Sequence, residues 1–157
     1  MHFIEITSKR LCLAAMALLA ACSSPMPEPA GGPRAGSVAA AGALPSPAAA
    51  RSWSDLRVQA ARRMVAANPS GTYTGNVPDV LLAIPVLEIE LNGDGSVRRI
   101  DVLRRPGQAP ETLQMAIDAV RRAAPFGDVS RLPKPWKFSE TFLFNDDRKF
   151  KPRTLDN

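Results

Sequence analysis

The chain has 157 residues, 45% of them hydrophobic, with 15 prolines and a net charge of +5. That length allows one compact domain with extensions. Six of the prolines (Pro25, Pro27, Pro29, Pro33, Pro45 and Pro47) precede residue 50 in alanine-rich text, which excludes that stretch from a packed core and makes the working domain smaller than the chain.

Lys9 and Arg10 precede an uncharged apolar run, Leu11 to Ala21. As a helix, those 11 residues would reach only about 16 Å, too short for a hydrocarbon layer of roughly 30 Å. The run therefore reads as the apolar part of a signal peptide rather than a retained membrane helix. Leu19-Ala20-Ala21-Cys22 then places small residues before a cysteine. The segment resembles the lipobox of bacterial lipoproteins. The resemblance implies that residues 1–21 are removed and that Cys22 carries lipid. Ser23, a non-aspartate after the cysteine, implies by the same resemblance an outer-membrane destination on the periplasmic side. The competing expectation is an uncleaved apolar segment that anchors the chain in the inner membrane.

Cleavage would remove Glu5, Lys9 and Arg10, leaving a net charge of +4, and would remove Cys12 and the single histidine, His2. The mature chain would then hold one acylated cysteine, no disulfide and no histidine. Residues 22–50 are the lipidated cysteine followed by Pro, Ala, Gly and Ser with almost no large apolar side chains. Such text cannot recover the entropy lost on folding and is expected to be a tether, about 85 Å long if fully extended at about 3.1 Å per residue.

Periodic pattern begins in the segment 51–157, the expected periplasmic domain. Ser52 and Asp55 form a capping-box-like pair before a helix over Trp53–Ala67, whose apolar stripe is Trp53, Leu56, Ala60, Met64 and Ala67. Leu87, Ile89 and Leu91 alternate with Glu88 and Glu90, predicting a half-exposed strand over Ile84–Leu91. Asn92-Gly93-Asp94-Gly95 predicts a hairpin turn into a return strand, Val97–Leu103. Pro110 opens a second helix running to Ala124, with Leu113, Ile117, Val120 and Ala124 on one face. A third strand, Trp136–Asn145, carries Trp136, Phe138, Phe142 and Phe144 at one parity. Glu140 interrupts that apolar face, so the strand either bulges there or exposes its edge. The predicted fold is α+β: a small three-stranded antiparallel sheet with two helices packed on one face, in the order α-β-β-α-β.

The order and the text together resemble the C-terminal domain of the TonB/TolA family of envelope proteins, over roughly Pro85 to Asn145. The residues that carry the resemblance are GDGSVRRIDVLRRPG (Gly93–Gly107), LQMAIDAVRRAAPF (Leu113–Phe126) and WKFSETFLF (Trp136–Phe144). Gly95 and Val97 fit the family's hairpin turn, and Ala116, Ala119, Val120 and Arg121 fit its helix. The resemblance implies a recognition domain that meets envelope proteins along a sheet edge. The family's energy transducers keep an N-terminal membrane helix, which this chain would lose on cleavage. A TonB-like transducing role is therefore expected only if the apolar segment is retained.

Catalytic chemistry has little material. Without histidine, the usual general base and the commonest metal ligand are missing, and an acylated thiol cannot be a nucleophile. Glu88 and Glu90 lie on one strand face about 7 Å apart, a spacing open to acid–base work. The alternative is charge pairing across the sheet with Arg98, Arg99 or Lys137, which we adopt. No enzyme activity, cofactor, metal or nucleic-acid partner is expected.

Two binding surfaces are expected instead. Trp136, Lys137 and Phe138 would form a pocket at the exposed edge of the last strand, to which an extended peptide adds. The doublets Arg98-Arg99, Arg104-Arg105 and Arg121-Arg122 would dock on anionic lipid, cell wall or an acidic partner, the behaviour expected of a structural or assembly lipoprotein.

Overall fold

The computed structural model describes residues 44–156. The signal segment and Cys22 lie outside the described residues. No helix among those described is long and apolar enough to cross a membrane.

Helix α1 spans Trp53–Ala67, and Ser52 caps it: its Oγ accepts the Asp55 N–H at 3.1 Å. The Asp55 carboxylate accepts the Arg51 N–H at 3.1 Å, one residue upstream of the usual capping-box partner. Leu56, Ala60, Ala61 and Met64 are buried. At the far end, Asn68 is buried and ties the two helices together. Its Nδ2 donates to Met64 O (2.8 Å) and Ala119 O (3.2 Å), and its Oδ1 accepts from Arg122 Nε at 2.6 Å.

Strands β1 (Val86–Leu91) and β2 (Val97–Arg104) form the expected hairpin. Its turn is held by the Asp94 carboxylate, which accepts both the N–H and the Oγ–H of Ser96. Gly95 adopts φ +81°, which favours glycine. Helix α2 covers Glu111–Ala123, with Pro110 at its N-cap position, and buries Thr112, Ala116, Ala119, Val120 and Ala123. Strand β3 is Lys137–Phe144.

The sheet has four strands, not three. After β3 a tight turn (Asn145 N–H to Lys149 O, 2.9 Å; Arg148 at φ 58°) returns the chain as β4, Phe150–Pro152, followed by a short 3-10 turn over Arg153–Leu155. The driving contact is apolar. Phe150 is 2% exposed and its ring lies 5.2 Å from that of Phe142 and 5.7 Å from that of Phe144. Strand order is β2-β1-β3-β4, all neighbours antiparallel. Leu87, Ile89 and Leu91 of β1 and Phe138, Phe142 and Phe144 of β3 join the buried residues of both helices in one core. Both helices therefore cover the same sheet face.

Two further expectations change. Glu140 causes neither a bulge nor an exposed edge. The β1–β3 register runs through it unbroken (Leu87 opposite Glu140, Val86 opposite Thr141), and the side chain is 2% exposed. Its Oε1 accepts the Thr141 N–H at 3.0 Å and the Thr154 N–H at 3.2 Å, pinning the 3-10 turn to β3. Burial pushes this carboxyl's pKa up despite those bonds. Its Oε2 is buried with no partner among the described residues.

The second change concerns the tether. Its last residues, 44–50, lie on the domain. Ala50 is buried and donates its N–H to Asp128 O (3.0 Å), Gln59 Nε2 donates to Ala48 O (2.9 Å), and Arg63 Nη1 donates to Pro45 O (2.6 Å). Here backbone packs directly on backbone. A Cβ at Gly127 would meet the Ala48 carbonyl, and one at Gly95 would meet Gly127. Residues 44–50 thus pack on the domain expected to begin at residue 51.

Candidate functional site: the two sheet edges

On antiparallel strands, alternate residues direct their N–H and C=O groups to opposite sides. Phe142 and Phe144 donate to Pro85 O and Ala83 O, and Leu91 donates to Trp136 O. Even-numbered residues of β3 and odd-numbered residues of β1 therefore face each other. It follows that Glu88 and Glu90 bond to Asp101 and Arg99 of β2, opposite them in register. Ile100 and Val102 are left with their backbone groups pointing away from the sheet.

The edge beyond β3 is closed. Leu143 pairs with Lys151 of β4. The outward groups of Phe150 are bound in turn, its N–H to Gly71 O (2.9 Å) and its carbonyl to the Tyr73 N–H (3.3 Å), and Pro152 has no N–H to offer. Closer to the start of β3, the Thr141 N–H is taken by Glu140 and the Lys137 N–H by Pro135 O. Ser139, between them, has no outward hydrogen bond among the described residues. It borders a shallow cleft against Trp53 and Arg57 of α1.

The pocket expected from Trp136, Lys137 and Phe138 is not assembled. Phe138 is 5% exposed and packs edge-on against Phe126 at 5.7 Å, so it belongs to the core. Lys137 points to the opposite, solvent face and pairs with Glu88 at 3.0 Å. Trp136 is half-buried just before β3. Its Nε1 donates to Leu132 O (3.0 Å), and Lys134 Nζ lies 4.5 Å from the ring centroid. Trp136 lines a separate open cleft of about 470 Å3 with Asn92, Gly93, Arg98 and Lys134.

The edge at β2 is open. No hydrogen bond among the described residues reaches its outward side, and two irregularities interrupt its pairing with β1, making Arg98 and Leu103 extra residues. Such bulges shorten and twist an edge without covering it. Leu103 is 56% exposed, one of two large apolar side chains standing out among the described residues. Beyond it a groove of about 350 Å3 runs between Leu81–Ile84 and the segment Arg104–Gln108.

The arginine doublets divide. Arg99 lies on the solvent face of the sheet, where it meets Glu90 (3.3 Å) and Asp101 (3.0 Å), and Arg98 meets Glu90 at 3.0 Å. Glu88 and Glu90 are thus both engaged in cross-sheet charge pairs, as expected. Arg121 and Arg122 belong to α2, on the other side of the sheet, where Arg121 faces Asp118 at 3.8 Å and Arg122 is bound to Asn68. The doublets therefore do not share one face. Arg104 and Arg105 are exposed and make no ion pair among the described residues. The structure thus places Arg98, Arg99 and Arg104 on the open edge strand and Arg105 just past its end, with the exposed Leu103 among them.

Among the described residues, no group of three or more His, Cys, Asp or Glu side chains is placed to hold a metal ion. No family model matches the sequence, and it matches no curated protein and no solved structure.

Proposed function

We propose that this chain is a lipid-anchored periplasmic interaction module of the cell envelope, tethered through Cys22, which binds an envelope protein along the free edge of its sheet. The observation that carries the edge is the contrast above: among the described residues the outward backbone of Ile100 and Val102 in β2 has no hydrogen-bond partner, while on β3 and β4 that side is bonded except at Ser139. The antiparallel sheet with helices on one face agrees with the TonB/TolA-like reading of the sequence. Lipidation and envelope location rest on the order of charge, apolar run and lipobox in the first 22 residues. Binding without catalysis is in keeping with the engagement of Glu88 and Glu90 in charge pairs with Lys137, Arg98 and Arg99.

The test uses the full chain in its native envelope. Fatty-acid labelling should be lost in Cys22→Ala. A photocrosslinking residue at position 103 should capture a discrete envelope partner, and one at position 147, beside the closed edge, should not. Protein that keeps Met1 and bears no acyl group would sink the anchoring. Equal capture from both positions would sink the edge.

A further inference from the structure

We infer that the β2 edge takes an extended, acidic peptide of another protein whose side chains alternate apolar and carboxylate. This inference rests on the edge reading above and adds the chemistry of the partner.

The geometry limits what can fit. Ile100 and Val102 supply outward N–H and C=O groups, and the bulges at Arg98 and Leu103 bound the regular stretch between them, so only a short strand can add. An added strand sends alternate side chains to the two sheet faces. On the helix-covered face its neighbours are Ile100 and Val102, both half-buried among the described residues. Apolar side chains complete that contact, and the groove beside Leu82 and Ile84 extends it past the end of β2. On the opposite face, and at the end of the strand, the neighbours are arginines.

Charge decides the sign of the partner. Between Val97 and Arg105 there are four arginines against one aspartate. Arg98 and Arg99 share Glu90 and Asp101, while Arg104 and Arg105 have no carboxylate partner among the described residues. Carboxylates of an incoming peptide can bind these guanidiniums bidentately. A basic strand, including a second copy of β2, would meet like charge along the same line. Across a pairing interface, that juxtaposition selects against the wrong partner.

The experiment uses the full-length acylated protein in detergent micelles and three synthetic nonapeptides. One alternates Val and Glu, one alternates Val and Lys, and one is the Val/Glu peptide N-methylated on the amides of one edge. The Val/Glu peptide should bind at least about tenfold more tightly than Val/Lys and should slow hydrogen exchange at the Ile100 and Val102 amides. N-methylation should abolish binding. Arg104→Glu combined with Arg105→Glu should remove the preference while leaving the circular-dichroism spectrum unchanged.

Equal binding of Val/Glu and Val/Lys with protected Ile100 and Val102 amides would overturn the acidic partner and leave the edge reading intact. Binding with no protection there, no binding by any peptide, or self-association that protects the same amides without peptide would each overturn the inference. The edge reading would fall as well only if position 103 also captured nothing in the envelope.

Discussion

The two edges of this sheet solve the same problem by opposite means. At β3 the chain folds back as β4, spends a proline and a buried carboxylate on the remaining outward groups, and leaves one residue open. At β2 it adds two bulges and three arginines and leaves the outward backbone of Ile100 and Val102 unbonded among the described residues. Unpaired strand edges invite pairing with other chains, and natural proteins blunt the ones they do not use. Closure at one end of the sheet shows that this fold has the means to cover an edge. The open strand is therefore a property of β2 rather than of a small sheet in general.

Substitutions can break or sharpen that contrast. The largest effect is expected from Phe150→Ala, which removes a fully buried ring from the closed edge and should cost about 3–5 kcal/mol in urea unfolding. With β4 released, a probe at position 147 should begin to crosslink.

Next comes Glu140→Gln. Because burial raises the Glu140 carboxyl's pKa in the folded state above its unfolded value, the folded protein holds this proton to higher pH than the unfolded chain does. Stability from this group is complete below the ordinary carboxylate range. It declines as pH rises from there through the raised folded value. Glu140→Gln keeps an acceptor for Thr141 and Thr154 but carries no titrating proton. Its stability relative to wild type should grow with pH across that window, read by thermal unfolding at a series of pH values. A parallel pair of curves would show that the buried carboxyl does not titrate differently in the two states.

At the open edge the same kinds of change should be mild. Val102→Pro removes a donor that points to solvent, a position edge strands tolerate, and should cost less than about 1 kcal/mol while abolishing capture from position 103. Smallest of all, Arg104→Glu with Arg105→Glu should shift stability by no more than about 0.5 kcal/mol, because both side chains are exposed and neither has an ion-pair partner among the described residues. A large loss of stability from either change would mean that β2 is covered in the folded protein.

Both helices and the first three strands were legible because their apolar spacing is regular: Leu56, Ala60 and Met64 along one helix, and Leu87, Ile89 and Leu91 along one strand. Strand β4 was not, since three residues containing a lysine and a proline carry no period, and its one strong signal, Phe150, is a single buried ring. Glu140 read as a fault in a pattern. It is a polar residue placed among apolar ones because two backbone N–H groups there need an acceptor. Missing β4 displaced the candidate site as well. With three strands β3 becomes an edge and Trp136, Lys137 and Phe138 its natural pocket. With four, Phe138 is core and Lys137 an ion-pair partner. The arginines of β2 were visible as charges, but which strand was the free edge depended on pairings that no local pattern records.

The docked stretch from Leu44 to Ala50 also fixes where mechanical load would enter the domain. Tension applied from the N-terminal side would reach the Arg63–Pro45 bond first, then Gln59–Ala48, then Ala50–Asp128, peeling them one after another. The hydrogen bonds of the sheet would be spared until that strap had given way.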